Sequence, residues 1–220
     1  MKKLFFMLIF SSFFSSSAFC NDECSNIQIN PKVTVLSSYN KLTIDKTKTK
    51  QEVTNLAKEN NHLENGVFAN GLSNTNIKFY IELKTSSIKT DNSKYCIIPD
   101  EVIVFLGFDS PIIYIAKELQ EGSCEYDIVL NHEKTHQQIN KKILDFYLPL
   151  FKSASTTIIK NTKAFYTENI SDNEKILQDY IAIYNQKLTP LVDFIKNEII
   201  TEQKKLDNPE NYKYESLICS

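Results

Sequence analysis

Apolar and polar side chains alternate along the first half of the chain, which is the pattern of β-strands with one buried face. The clearest run is residues 77–84, where every second residue is large and apolar and the residues between are Lys, Tyr, Glu and Lys. Residues 33–44 alternate in the same way on both sides of a polar turn. Two apolar runs at residues 101–106 and 111–116 are separated by residues 107–110 and predict a β-hairpin.

Helical spacing of apolar residues appears in one short segment and then throughout the second half. Residues 49–60 place Val53 and Ala57 on one side of a predicted helix, and from Ser123 onward the spacing is helical with few turn signals. We therefore predict an α+β fold with a small N-terminal sheet of short strands and one helix. A long C-terminal helical hairpin follows. Because no linker separates the two halves, we expect them to share one core.

The first twenty residues have the pattern of an export signal. Two lysines precede a mostly apolar run at residues 4–14, and small residues follow up to a cleavage site after Ala18 or Cys20. The apolar run is too short to cross a bilayer as a helix, which takes roughly twenty residues. We predict a signal peptide at residues 1–20 and a periplasmic or secreted mature protein, with no stable membrane span after its removal.

The amino-acid composition excludes some classes of function but does not identify one. Hydrophobic residues make up 42% and charged residues 24% of the chain, which is ordinary for a globular protein. With only 4 glycines, none spaced for a phosphate-binding loop, the glycine-rich nucleotide binders are excluded. The 25 basic residues nearly balance the 27 acidic ones, so we predict no nucleic-acid partner.

The cysteines fit an exported chain. Cleavage after Cys20 leaves Cys24, Cys96, Cys124 and Cys219, and an even number of cysteines in an exported protein indicates two disulfides. Three pairings are open. Our preferred expectation joins Cys24 to Cys219, which would tie the two ends of the chain together.

The motif that carries chemistry is an HExxH sequence formed by His132, Glu133 and His136. On a helix, histidines four residues apart stand on one face a turn apart, so both imidazoles can reach one metal ion. The intervening Glu lies beside the metal, where it can take a proton from water. We predict one Zn²⁺ per chain, with Glu133 as general base.

With this motif the chain resembles the zincin class of zinc metallopeptidases. Over most of the mature chain it is similar to exported bacterial proteins of the zinc-protease type. The matching segments are Cys24 with residues 31–35, residues 113–116, residues 122–126, the HExxH motif, and a tail with Leu206, Asp207, Tyr212 and Cys219. The resemblance implies a single zincin-like domain over residues 21–220, with an α+β part at 21–122 and a helical part at 123–220. It also implies a peptide or protein substrate, bound beside an edge strand at residues 111–116.

The third metal ligand is open at the level of sequence. Glu168 is a candidate because the sequence around it resembles the ligand segment of thermolysin-type enzymes; this placement requires Pro149 to end the HExxH helix. If that helix continues instead, a second helix opening near residue 171 returns beside it. Residues near 202 and 206 then lie opposite the two histidines, which favours Glu202 or Asp207. Asp207 is our preferred ligand, with Tyr212 as hydrogen-bond donor to a reaction oxyanion.

Two functions follow from these residues. The first is an exported zinc-dependent metallopeptidase in which metal-activated water hydrolyses a peptide bond. The alternative is a non-catalytic exported binding or structural protein, with a structural metal or none. The sequence does not distinguish among protein, peptide and cell-wall substrates, nor does it indicate an oligomeric state.

Overall fold

The computed structural model describes residues 23–59, 68–90 and 92–219, so the predicted signal peptide lies outside the described residues. Five strands and four helices, together with a short 3-10 turn at Ile170–Asp172, make up this part of the chain. In chain order they are β1 (Lys32–Leu36), β2 (Thr43–Asp45), α1 (Lys50–Glu59), β3 (Gly71–Lys89), β4 (Tyr95–Ile115), α2 (Cys124–Lys160), β5 (Phe165–Thr167), α3 (Asn173–Leu206) and α4 (Pro209–Ile218). The α+β prediction is confirmed.

One long strand, β4, organises the sheet. Strand β3 pairs with it antiparallel over nearly its whole length, and the turn between them closes with the Thr90 N–H donating to the Lys94 carbonyl at 2.8 Å. On the other side of β4, β5 pairs antiparallel while β1 and β2 pair parallel. The two main strands have 19 and 21 residues, so they are longer than the short strands that we expected.

The predicted hairpin at residues 101–106 and 111–116 is wrong, because both segments belong to β4. Residues 107–109 stay extended and pair with residues 76–78 of β3. Gly107 is explained by a close approach of the backbone and not by a turn. A Cβ there would lie 2.3 Å from the Ser38 carbonyl oxygen, the same oxygen that accepts the Phe108 N–H at 2.9 Å. A glycine inside a strand often marks such an approach.

Helix α1 confirms the helix predicted at residues 49–60. Thr49 and Glu52 form a reciprocal cap, in which the Thr49 N–H donates to the Glu52 carboxylate at 2.7 Å and the Glu52 N–H donates to the Thr49 hydroxyl at 3.2 Å. Val53 and Ala57 are buried against Leu72 of β3. The helix is thereby fixed beside the first residues of β3.

Helices α2 and α3 form the predicted helical hairpin. Helix α2 begins after Ser123, whose hydroxyl accepts the Tyr126 N–H at 3.2 Å, and it continues past Pro149, which lies on its exposed side. The hairpin packs on one face of the sheet. The fully buried residues at this contact include Ile97, Val102, Val104 and Leu106 of β4, Leu144, Phe151 and Ile159 of α2, and Tyr180, Tyr184 and Leu188 of α3.

Two disulfides are present, and they differ from the pairing that we preferred. Cys24 bonds to Cys96 in β4, and Cys124 bonds to Cys219, so the Cys24–Cys219 expectation is wrong. The reason is the path of the tail: α4 turns back beside the start of α2, while the N-terminal segment stays near the start of β4. None of the described helices is long and apolar enough to cross a membrane.

Candidate metal centre

The HExxH residues lie on α2, on the side that meets the end of α3. His132, Glu133 and His136 are each only 7% exposed. Because the two histidines are four residues apart on the helix, they lie one turn apart with their rings facing the same partner. Burial of three polar side chains in one seam costs free energy unless each has a partner. The question is therefore what these groups bind.

Asp207, the residue that ends α3, is the partner of both histidines. Its Oδ1 atom lies 3.1 Å from His132 Nε2 and 3.0 Å from His136 Nε2, and the two Nε2 atoms are 3.1 Å apart. A tetrahedral zinc at about 2.0–2.1 Å from each ligand separates the ligand atoms by roughly 3.3 Å. The three atoms are within a few tenths of an ångström of that triangle, so this buried group could hold a metal ion.

The partner at Nδ1 of each imidazole determines whether its Nε2 atom carries a hydrogen or a lone pair. His132 Nδ1 lies 2.9 Å from the Glu215 carboxylate, and His136 Nδ1 contacts Gln203 Oε1. The Gln203 orientation is fixed because its NH₂ group faces the His136 carbonyl oxygen at 3.3 Å, and a carbonyl only accepts. Both Nδ1 atoms therefore face acceptors and carry hydrogen in the neutral rings.

Neutral rings with hydrogen on Nδ1 present their Nε2 lone pairs to the centre. Those two lone pairs converge with a carboxylate oxygen of Asp207. Three acceptors at this spacing repel one another unless a cation lies between them. In the protein without metal, a proton takes that place. Burial lowers the pKa of His132, but the hydrogen bonds to Asp207 and Glu215 outweigh it and raise the pKa to about 9. Burial opposes ionisation of Asp207, yet its hydrogen bonds to the two histidines hold its pKa well below the ordinary range.

Glu133 sits beside this triangle in a dry environment. Burial raises the pKa of its carboxyl to about 7, against the charges of the two histidines, and the Ser73 N–H of β3 donates to it. Gly71 leaves the necessary space, since a Cβ there would lie 2.7 Å from Glu133 Oε1. A carboxylate that titrates near neutral pH beside a cation site is suited to move a proton.

Tyr212 lies at the site, where it contacts two of the candidate ligands. Its hydroxyl donates to Asp207 Oδ1 at 2.8 Å, and its ring stacks on the His132 ring with 5.3 Å between centroids. Burial, followed by the charge of Asp207, raises the pKa of Tyr212 far above its usual value, so the hydroxyl stays a donor. The hydrogen bond orients a candidate ligand; donation to an oxyanion stays a prediction.

The two rival ligands lie away from the triangle. Glu202 has a side chain that is 42% exposed and pairs with Lys205 on the same helix. Glu168 lies after β5 with its side chain 76% exposed, 3.5 Å from Lys94. Because α2 continues past Pro149, Glu168 is left at the far end of the hairpin. The hairpin geometry predicts residues 202 and 206 opposite the two histidines, which is one residue too low. Gln203 lies opposite His136, and Asp207 lies opposite His132.

The predicted edge strand at residues 111–116 is also wrong. Ile112, Ile113 and Tyr114 pair with β2 on one side and with β3 on the other. Within the described residues, β1, β2 and β5 pair only with β4, and the same holds for β3, whose outer side is therefore unpaired. Gln137 of α2 contacts its Ser73 and Thr75 hydroxyls, each at 2.5 Å, so the helix is attached to β3 directly beside Glu133.

Sequence reasoning missed Gln203 and Glu215, which contact the outer nitrogens of the two histidines. A signal existed for Gln203, because it precedes Asp207 by four residues on a helix and so repeats the spacing of the histidines. Glu215 had none: it is one acidic residue among many in the tail. Its role depends entirely on where α4 lies.

Comparison of the chain with protein-family models, with curated proteins and with solved structures found no match. The resemblance to zincins therefore stays a prediction based on the motif.

Proposed function

We propose that the protein is an exported zinc-dependent hydrolase of peptide bonds, with His132, His136 and Asp207 as metal ligands. The observation that carries this proposal is the convergence of two imidazole nitrogens and one carboxylate oxygen within 3.1 Å of one another. Two imidazoles and a carboxylate are a ligand set of catalytic zinc, which keeps the fourth position for water or substrate. The two disulfides support an oxidising compartment outside the cytosol.

A zinc ion at this site would supply a Lewis acid that polarises a carbonyl and lowers the pKa of water. Glu133 would take the proton of the attacking water and deliver it to the leaving amine. Its pKa of about 7 keeps a large fraction in the basic form at neutral pH. Tyr212 and Glu215 would keep Asp207 and His132 in place during the reaction. The substrate would be a peptide or a protein.

The first test is metal content. Purified mature protein should contain close to one zinc per chain, and His132→Ala should lose most of it because one ligand of three is gone. The matched control is Lys134→Ala, an exposed residue on the same helix. Equal and substoichiometric zinc in all three proteins would disprove the metal centre.

The second test separates catalysis from metal binding. Glu133→Gln should keep zinc while peptide hydrolysis falls by about 10²-fold or more, since a positioned acid–base group contributes roughly 10²–10⁴-fold. Glu125→Gln, at an exposed position of the same helix, should change neither. A Glu133→Gln protein with undiminished hydrolysis would end the proposed mechanism.

One observation favours the alternative, a non-catalytic protein with a structural metal. Both histidines are 7% exposed, and Tyr212 of α4 covers the His132 ring. Structural zinc sites are closed. Binding of a small hydroxamate to the cobalt-substituted protein decides between them: a change in the cobalt absorption spectrum supports an open position, and an unchanged spectrum supports the structural role.

A further inference from the structure

Helix α4 carries two of the side chains that surround the candidate metal centre. Tyr212 stacks on His132 and donates to Asp207, and Glu215 accepts from His132 Nδ1. The side chain of Glu215 is only 25% exposed, although the helix lies on the surface. The position of α4 therefore decides whether His132 keeps its partner.

Apolar packing contributes little to holding α4 in that position. None of its ten residues is buried, and Tyr214 and Ile218 are more than half exposed. Isolated helices shorter than about 12–15 residues are marginal in water. The cap by Asn208, which accepts the Asn211 N–H at 2.9 Å, helps to start the helix but does not attach it to the rest of the protein.

The Asn211 NH₂ group donates to the Leu206 carbonyl at 2.9 Å, which attaches the start of α4 to the end of α3, and a covalent bond attaches its other end. Cys219 directly follows α4 and is bonded to Cys124, the first residue of α2. Helix α2 is the element that carries both histidines, and the other end of α4 begins two residues after Asp207. The helix is thus tied at one end to the start of the HExxH helix and at the other to the third candidate ligand.

We infer that the Cys124–Cys219 disulfide keeps Glu215 in contact with His132 and thereby sets the affinity of the metal centre. Glu215 is a positioning residue that acts through His132: it fixes the hydrogen on Nδ1 and leaves the Nε2 lone pair directed at the metal. Loss of such an outer partner typically costs 10–100-fold in metal affinity. This inference rests on the zinc site proposed above, but it does not require peptide hydrolysis.

The first experiment measures zinc affinity by competition with a chromogenic chelator. Glu215→Ala should bind zinc about 10–100-fold more weakly. Glu215→Gln should recover part of that loss, because its amide oxygen still accepts from Nδ1. The matched control is Glu210→Ala, an exposed carboxylate on the same helix, which should bind as the unmodified protein does. Unchanged affinity of Glu215→Ala overturns the inference by itself, since this surface-helix variant will fold.

The second experiment tests the disulfide through a double-mutant cycle. The pair Cys124→Ser and Cys219→Ser should lose at least as much zinc affinity as Glu215→Ala does, because the released helix also carries Tyr212. Adding Glu215→Ala to that pair should cost little more, because both changes remove the same contact. The control pair is Cys24→Ser and Cys96→Ser, which removes the disulfide remote from the histidines and should leave zinc affinity unchanged once folding is verified by circular dichroism.

These experiments distinguish failure of this inference from failure of the proposed function. Full additivity in the cycle, or unaltered affinity of the Cys124/Cys219 serine pair, overturns the role of the disulfide. An unmodified protein that binds no zinc overturns both this inference and the proposed function. A protein that binds zinc and follows the cycle but hydrolyses no peptide supports this inference while the proposed function fails.

Discussion

His132 is held at both ring nitrogens, and this double contact explains the chemistry of the site at the scale of single residues. Glu215 lies at Nδ1 and Asp207 at Nε2. Two acceptors on one imidazole favour its protonated form when no metal is present, which is why its pKa rises to about 9 despite burial. A metal ion and a proton therefore compete for the same nitrogen.

This competition predicts how the stability of the metal-free protein depends on pH. The pKa of His132 is about 9 in the folded state and near 6.5 when unfolded, so its stabilisation is complete below pH 6.5 and disappears as pH rises through 9. We expect the free energy of unfolding, measured by urea denaturation, to fall between pH 7 and 9 by no more than about 1.4 kcal/mol per pH unit. The zinc-loaded protein should show no such decline. A flat or rising profile for the metal-free protein would contradict the assignment.

A second residue-scale prediction concerns Gly71, which lies against Glu133. In Gly71→Ala the new Cβ would lie 2.6 Å from Val129 Cγ1 and 2.7 Å from Glu133 Oε1, so the general-base candidate must move. We expect a loss of about 1–3 kcal/mol in the free energy of unfolding, as for other overpacked sites. Hydrolysis should fall while zinc content stays near that of the unmodified protein, because no ligand is touched. If zinc is lost instead, the residue supports the ligands and not Glu133.

At the scale of elements, helix ends determine which residues meet. Ser123 fixes the first turn of α2 and hence the direction in which both histidines point, and the last turn of α3 brings Gln203 and Asp207 opposite them. Because α2 continues through Pro149, Glu168 lies too far from the histidines to be a metal ligand. The metal centre is thus made where the start of one helix passes the end of another.

The cap at Ser123 gives the element-scale prediction. Ser123→Ala removes the acceptor of the Tyr126 N–H and should lower the free energy of unfolding by about 1 kcal/mol. Ser153→Ala, at an exposed position inside the same helix, is the matched control and should change it little. Urea denaturation of the two variants measures the difference. Equal stability of both would show that the cap does not support the helix.

At the scale of the whole molecule, the hairpin of α2 and α3 is held on the sheet by one apolar core, and the site lies at the end of that core. Phe151 is fully buried there, whereas Phe146 on the same helix is 75% exposed. The position of the metal centre therefore depends on the packing of the hairpin against the sheet, a contact in which the candidate ligands take no part. Separation of the hairpin from the sheet would also separate Glu133 from Ser73.

This contrast gives a matched pair of variants. Phe151→Ala should cost about 3–5 kcal/mol in the free energy of unfolding, because it leaves a cavity in the core. Phe146→Ala should cost much less, since its ring is mostly in water. Thermal unfolding followed by circular dichroism compares them. Similar losses for the two variants would mean that the hairpin is held by something other than this core.

The sequence by itself determined the features that depend on near neighbours. The spacing of His132 and His136, the cap at Ser123 and the alternation at residues 77–84 act over a few residues, and the periods of helices and strands express them directly. For the same reason the α+β class could be predicted. Asp207 was among the candidates because the geometry of two antiparallel helices can be estimated from their lengths.

Only the tertiary structure decided what lies far apart in the chain. Residues 101–116 form one strand because β3 pairs beside them, Cys124 bonds to Cys219 because α4 folds back, and Glu215 meets His132 across 83 positions. Local periodicity contains no information about such contacts, since they depend on how complete elements pack. The histidines were encoded in one helical turn, but the residues that complete their site were assembled by the fold.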